Sequence, residues 1–291
     1  MYPSRFRYES PSTVEEAVRL LAAGGGEAKI LAGGQSLIPM MKLRFAAPQT
    51  VVDINGIPGL DHLEFASDGS IRIGALCRHA ALEQSAELGV RQPTMAAAAP
   101  LVADPIVRRR GTLVGSLCHA DPQGDWAAVM VSLGGHLVVQ GPSGKRSIPI
   151  TELVRGPFQT TLAPDEIGIE AVVPAPSGTP MGGYLKLERR IGDFATAAVA
   201  VGLDMSGSTV TQAGIGLVGV GSRTINAADA AASLAGGSLT DSSIAEAGRL
   251  AASAAEPHSD HRGSADYKRH IIETFVVRIL TRVASSMEKV A

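Results

Sequence analysis

From Val14 to Leu21 apolar residues recur three and four apart, with Val14, Ala17, Val18, Leu20 and Leu21 on one face, which is the spacing of an amphipathic helix. Ser12, with Glu15 three positions later, has the form of a capping box that starts this helix, and Gly24-Gly25-Gly26 stops it. Ala28 to Ala32 reads as a short buried strand running straight into Gly33-Gly34-Gln35-Ser36, and Leu37 to Leu43 returns to helical spacing. Thr50 to Ile54 and Ile71 to Ala75 are strands bounded by the turn residues Asn55-Gly56 and Ser67-Asp68-Gly69. Ala80 to Glu87 and Met95 to Ala103 read as helices, and Arg108 to Ser116 as a basic, glycine-punctuated loop. Trp126 to Leu133 is a further helix, and His136 to Gln140 with Lys145 to Ile150 a hairpin around Gly141-Pro142-Ser143-Gly144.

Pro and Gly then punctuate seven successive positions from Pro174 to Pro180, which marks a linker and divides the chain into units 1–176 and 177–291. The second unit shifts towards Ala, Gly and Ser. It carries strands near Ala195 to Leu203 and Thr209 to Val218, then helices near Ala227 to Leu234 and Asp241 to Ala255. Its last helix shows a wide apolar stripe of Ile271, Ile272, Phe275, Val276, Ile279, Leu280 and Val283.

Composition narrows the function classes. A chain of 291 residues, 45% of them apolar, suits two domains with a large core. The 26 basic residues against 28 acidic ones give a net charge of −2, which provides no field for nucleic acid or anionic lipid. Cys77 and Cys118 stand far apart without a C-x-x-C pair, so the chain alone cannot ligate an iron–sulfur cluster or a Cys-rich zinc site. Two free thiols of a reducing compartment is the favoured reading, with a disulfide between them the alternative. The start lacks the apolar core of a signal peptide and no apolar run approaches about 18 residues, so a cytoplasmic, soluble protein is expected.

Three segments carry candidate chemistry. Lys29 to Ser36 is a strand ending in two glycines, whose consecutive N–H groups can form a nest for a phosphate or pyrophosphate; it also reads as an ordinary strand-to-helix turn. Arg110 to Ser116 offers the hydroxyls of Thr112 and Ser116 around Gly115, and equally reads as a surface loop. Two such nests suit a dinucleotide, which has two phosphates and two sugars to hold. Asp121 and Asp125 could accept from ribose hydroxyls or serve as turn and helix-capping residues, the latter leading for Asp121. Arg108 to Arg110 could face phosphates, a partner subunit or solvent. Gly214 to Gly219 matches G-x-G-x-x-G, but it lies inside an expected strand and opens no helix, so it is no dinucleotide fingerprint. His258 and His261 have metal-like spacing without a supporting ligand cluster and read as a solvated loop.

In their order these segments resemble the FAD-binding medium subunit of the molybdenum hydroxylases, the family of xanthine dehydrogenase and aerobic carbon monoxide dehydrogenase. The resemblance rests on Ala32 to Arg44, Ile73 to Glu83, Arg108 to Trp126 and Gly183 to Leu203, with a weaker match at Asp266 to Ile271, and looks closest to the carbon monoxide dehydrogenase type. It implies an α+β fold: a two-lobed FAD-binding domain of the vanillyl-alcohol-oxidase (PCMH-like) type, followed by a smaller α+β domain. It also implies two partners, a small [2Fe-2S] iron–sulfur subunit and a large molybdopterin subunit, in a dimer of heterotrimers. Electrons would pass from the clusters through FAD to an external acceptor.

Carried over by position, Ala32, Gly33, Gly34, Gln35 and Ser36 would hold the FAD pyrophosphate through backbone amides. Thr112, Leu113, Val114, Gly115 and Ser116 would hold its second side, near the cluster-bearing partner. Asp125 falls where the family's FAD-binding aspartate is expected, Ile167 or Gly168 would flank the flavin ring, and Lys186 would sit near it and favour charge developing on reduction. Asp193 matches an acidic position near the flavin in the xanthine-oxidising branch, or serves as a turn residue. Val114 replaces the first of two glycines usual in the second loop; if that position needs a positive φ, valine costs about 1–2 kcal/mol. No catalytic residue and no metal ligand is expected on this chain. The competing expectations are a free-standing FAD-dependent oxidase or dehydrogenase and a nucleotide-binding structural module.

Overall fold

The computed structural model describes residues 2–288. The chain opens as a parallel three-stranded sheet of β1 (Arg7–Glu9), β2 (Ala28–Leu31) and β3 (Thr50–Asp53) in the order β1-β3-β2, with α1 (Val14–Ala23) and α2 (Leu37–Lys42) in the crossovers. The N-cap of α1 is Thr13, one residue later than the Ser12 expected from sequence: its hydroxyl accepts from the Glu16 N–H at 3.2 Å, and the Glu16 carboxylate accepts from the Ser12 N–H at 2.8 Å. Starting there still turns Ala17, Val18 and Leu21 into the core.

A five-stranded antiparallel sheet follows, made of β4 (Leu63–Phe65), β5 (Ile71–Gly74), β6 (His136–Gly141), β7 (Gly144–Pro149) and β10 (Ile167–Val173), in the order β4-β5-β10-β6-β7. All seven residues of the central β10 are buried, including Glu170, whose carboxylate is met by Arg72 and His62. Between β7 and β10 lie the turn α9 (Ile150–Leu153) and the small hairpin of β8 (Val154–Gly156) with β9 (Gln159–Thr160).

Six short helices lead from β5 to β6: α3 (His79–Gln84), α4 (Ala86–Arg91), α5 (Pro93–Ala98), α6 (Pro105–Arg108), α7 (Leu113–His119) and α8 (Asp125–Ser132). Three of the expected elements differ. The helix expected over Met95 to Ala103 is α5 as far as Ala98 and then a 3-10 turn over Ala99–Leu101. The helix expected over Ala80 to Glu87 breaks at Ser85, whose hydroxyl caps α4 by accepting from the Leu88 N–H. The loop expected over Arg108 to Ser116 is helical from Leu113, because Thr112 caps α7 by accepting from the Gly115 N–H at 3.1 Å.

The last sheet is antiparallel, β11 (Thr179–Leu187), β12 (Ala197–Ser206), β13 (Thr209–Val218) and β14 (Ile225–Asn226), packed by α10 (Ala228–Ala232), α11 (Asp241–Ala254) and α12 (Ala265–Glu288). β11 starts inside the expected linker, leaving only residues 174–178 between strands. The period of two splits β12 between two cores: Ala198 and Ala200 join the core of the first unit, while Ala197, Val199, Val201 and Leu203 join the one under α10 to α12. The glycines of the G-x-G-x-x-G segment serve this packing. A Cβ at Gly214 or Gly216 would lie 2.2 Å from the carbonyl oxygen of Ser132 or Ala128, so glycine is what lets α8 rest on β13.

Candidate functional site

The first turn leaves β2 at Leu31 and enters α2. Gly34 takes φ +73°, a left-handed conformation glycine adopts without penalty. Gly33 touches the chain before α7: a Cβ there would stand 2.3 Å from the Arg110 carbonyl oxygen and 2.8 Å from the Gly111 Cα. The N–H groups of Gly34, Gln35, Ser36 and Leu37 meet no acceptor among the described residues. Four consecutive free donors at a glycine bend make a cradle for an anion. Gln35 is exposed and its amide donates to the Gly33 carbonyl at 3.3 Å, while Ala32 and Ser36 are half-buried.

The second turn begins where α6 ends. Arg108 does not face a phosphate: it is buried, its Nε donates to Glu83 at 2.7 Å and its Nη1 to the carbonyls of Val102 and Ala103. Arg109 and Arg110 are exposed. Gly111 abuts the buried His79, whose Nδ1 accepts from the Trp126 indole at 3.0 Å and whose backbone N–H donates to the Gly111 carbonyl. Burial, followed by the charges of Arg108 and Arg78, lowers the His79 pKa to about 4. Thr112, Leu113 and Val114 are buried, and Gly115 and Ser116 lie nearer the surface. Val114 has no positive φ and packs against the backbone at Gly168, so valine carries no backbone strain there. The Ile167 side chain is in the core, and Gly168 leaves room for the Cys118 thiol.

Asp125 and Lys186 face each other. Asp125 opens α8 just past Gly124, beside the Ser116 hydroxyl, and its carboxylate accepts from the Tyr184 hydroxyl at 2.5 Å and from Lys186 Nζ at 3.2 Å. Lys186 also donates to the Leu101 carbonyl at 2.9 Å and pairs with Glu188 at 3.5 Å, so its side chain, 1% exposed, spends its donors inside the protein. Burial pushes the Asp125 carboxyl up, opposed by the Lys186 charge and the Tyr184 hydrogen bond. Asp121 is a turn residue accepting from the Gln123 N–H, and Asp193 is held by Arg189 at 3.1 Å and Arg262 at 3.3 Å.

The sequence reading missed the side chains that tie the two turns together. Asn55 donates to the Ala32 carbonyl at 2.9 Å, and Arg78 bridges Asn55 Oδ1 to the Arg110 carbonyl, both at 2.6 Å. In the sequence Asn55 reads only as a turn residue, and no spacing rule joins it to Arg78. Among the described residues no three His, Cys, Asp or Glu side chains cluster to hold a metal, Cys77 and Cys118 are free, and no helix is long and apolar enough to cross a membrane. The free N–H groups and glycine approach at the first turn fit a pyrophosphate, and the second turn adjoins it at Arg110 and Gly111.

Comparison with known proteins places the chain in a family. Residues 4–176 match the family model described as the FAD binding domain in molybdopterin dehydrogenase, and residues 183–283 the CO dehydrogenase flavoprotein C-terminal domain. The chain is 40% identical to the carbon monoxide dehydrogenase medium chain of Hydrogenophaga pseudoflava, covering 96% of this chain and 97% of that one. It is 38% identical to a 6-hydroxypseudooxynicotine dehydrogenase complex subunit alpha of Paenarthrobacter nicotinovorans, covering 97% and 95%. A solved carbon monoxide dehydrogenase from Hydrogenophaga pseudoflava superposes with a TM-score of 0.93 over 99% of both chains at 40% identity. A quinoline 2-oxidoreductase from Pseudomonas putida 86 does so with a TM-score of 0.90 over 99% of both at 30% identity. The α+β chain with its two adjoining glycine turns is an FAD-binding oxidoreductase subunit belonging to the molybdopterin dehydrogenase, or molybdenum hydroxylase, family.

Proposed function

We propose that this chain carries FAD across the two turns and is the electron outlet of a multi-subunit molybdenum hydroxylase. Its partners in this reading are a small [2Fe-2S] subunit and a large molybdopterin subunit, assembled as a dimer of heterotrimers in the cytoplasm. The observation that carries the reading is the meeting of the two turns at Gly33 and Arg110, beside four N–H groups that are unpaired among the described residues. Residues Ala32 to Ser36 bind the pyrophosphate through those N–H groups, and Thr112 to Ser116 bind the other side of the cofactor. Bound FAD supplies a carrier that accepts electrons from iron–sulfur clusters and yields them to an external acceptor. The Asp125–Lys186 ion pair lies at the start of α8, and the backbone at Gly168 of β10 lies against Val114 of the second turn. We place the division between the FAD-binding unit and the C-terminal unit near residue 176.

The substrate is set on another chain. Relatives named for carbon monoxide, a nicotine derivative and glyceraldehyde match at 40%, 38% and 31% identity over nearly the whole chain, so one flavin subunit design accompanies several chemistries. Single-turnover mixing tests the role. The flavin absorption of the assembled complex bleaches after substrate reduces the clusters, whereas the isolated FAD-loaded chain turns over no substrate with a dye acceptor. Substrate oxidation by the isolated chain would instead make it a free-standing flavin oxidase.

A further inference from the structure

We propose that Arg78 is a positioning residue: a strut that fixes the separation of the two turns and thereby sets how tightly the chain grips a whole FAD, compared with a fragment that needs one turn only. The inference rests on the FAD placement proposed above.

Arg78 is the residue before α3 and forms an isolated β-bridge with Thr112, so its backbone is already fastened to the second turn. Its guanidinium then reaches both ways. Nη1 donates to the Arg110 carbonyl and Nη2 to Asn55 Oδ1, each at 2.6 Å. Asn55 passes the connection on, its amide donating to the Ala32 carbonyl at 2.9 Å and to Asp53 Oδ1 at 2.6 Å. The other Asp53 oxygen accepts from the Tyr8 hydroxyl at 2.7 Å, which anchors the string on β1 and β3. Side-chain hydrogen bonds therefore run unbroken from the first residue of one turn to the residue before Gly111 of the other.

Two opposed forces define the gap. The contact of Gly33 with Arg110 and Gly111 limits how closely the turns approach. The guanidinium pulls Arg110 towards Asn55 and so limits how far they part. The flat guanidinium meets the two acceptors from two separate nitrogens, Nη1 at the Arg110 carbonyl and Nη2 at Asn55, whereas a lysine would have to reach both from one nitrogen. Arg78 and Asn55 are half-buried rather than part of the apolar core, so losing the strut loosens the turns without opening the fold.

The physical consequence is one of linked binding. FAD engages both turns, and the second engagement gains from being held at a fixed distance from the first. ADP carries a pyrophosphate that the first turn holds alone. Removing the strut lowers the FAD affinity while leaving the ADP affinity nearly unchanged.

The test is titration of full-length, flavin-free chain with FAD and with ADP, for wild type, Arg78→Ala, Arg78→Lys, Asn55→Ala and the double alanine variant. The expected result is a loss of about tenfold in FAD affinity for either alanine variant, partial rescue in Arg78→Lys, and a double variant no weaker than the singles. Equal losses for FAD and ADP would show a general loss of folded protein and overturn the inference, as would unchanged FAD affinity or additive losses in the double variant. Should Arg78→Ala fail to fold, Asn55→Ala cuts the same string at its other end and decides the matter by the same FAD measurement. A wild-type chain that takes up no FAD would overturn the FAD placement itself, which is distinct from a wild type that binds FAD with variants that bind it equally well.

Discussion

His79 makes a prediction whose size follows from the structure. The imidazole is 5% exposed, lies against Gly111 at the second turn, and accepts a hydrogen bond from Trp126 through Nδ1, which a protonated ring cannot do. Burial and the cations Arg108 and Arg78 hold its pKa at about 4, against 6.5 for a free histidine. A depressed folded-state pKa means that the unfolded chain takes the proton first. The stability linked to His79 is therefore whole above pH 6.5 and is lost as the pH falls from 6.5 towards 4. The full difference amounts to about 3 kcal/mol, of which about 2 kcal/mol disappears between pH 7 and pH 5. His119 and His136 are lowered by burial too, so the readout is the difference between wild type and a His79→Gln variant. Glutamine retains an acceptor for Trp126 but does not titrate. Denaturant unfolding at a series of pH values should show the wild type losing about 2 kcal/mol more than the variant across that interval. Equal slopes for the two proteins would refute the buried neutral histidine and the tight seat it gives Gly111.

Other substitutions test the packing of the site. Gly33→Ala places a methyl 2.3 Å from the Arg110 carbonyl, so the turns must part; a cost of about 1–3 kcal/mol in denaturant unfolding is expected, together with weaker FAD binding. Gly89→Ala is the contrasting case, since nothing lies within 4 Å of its Cβ position and it sits in α4, so stability should rise by about 0.5–1 kcal/mol. Lys186→Met strands the buried Asp125 carboxylate with Tyr184 as its remaining partner and should cost about 3–5 kcal/mol near neutral pH. Adding Asp125→Asn to that variant removes the stranded charge and should recover much of the loss, which a double-mutant cycle in unfolding free energy will show.

Much of the framework was legible in the sequence because local signals fixed it. The Gly24 stop, the strand into Gly33-Gly34 and the hairpin around Gly141 to Gly144 all lie where turn chemistry and apolar spacing put them. Elements governed by distant partners were not legible. β10 carries no alternation because both of its faces are buried, and its Glu170 looks out of place until Arg72 and His62 are seen beside it. The start of α7 was hidden because Gly115 weakens a helix by propensity, whereas Thr112 caps it in the folded chain. In the site, the glycines announced the turns by their own chemistry. Arg78 and Asn55, which join those turns, act across 23 residues of sequence and leave no periodic trace. Lys186 and Asp125 stood out singly, but their pairing, with Tyr184 and Glu188 around them, is a property of the packed strands and helix alone.

The central claim is that one FAD lies across both turns, and backbone hydrogen exchange of the full-length chain with and without FAD tests it most directly. Adding FAD should slow exchange at residues 34–37 and at 114–116 together, with one FAD bound per chain. Stoichiometric FAD that protects other segments and leaves either turn unchanged would contradict it.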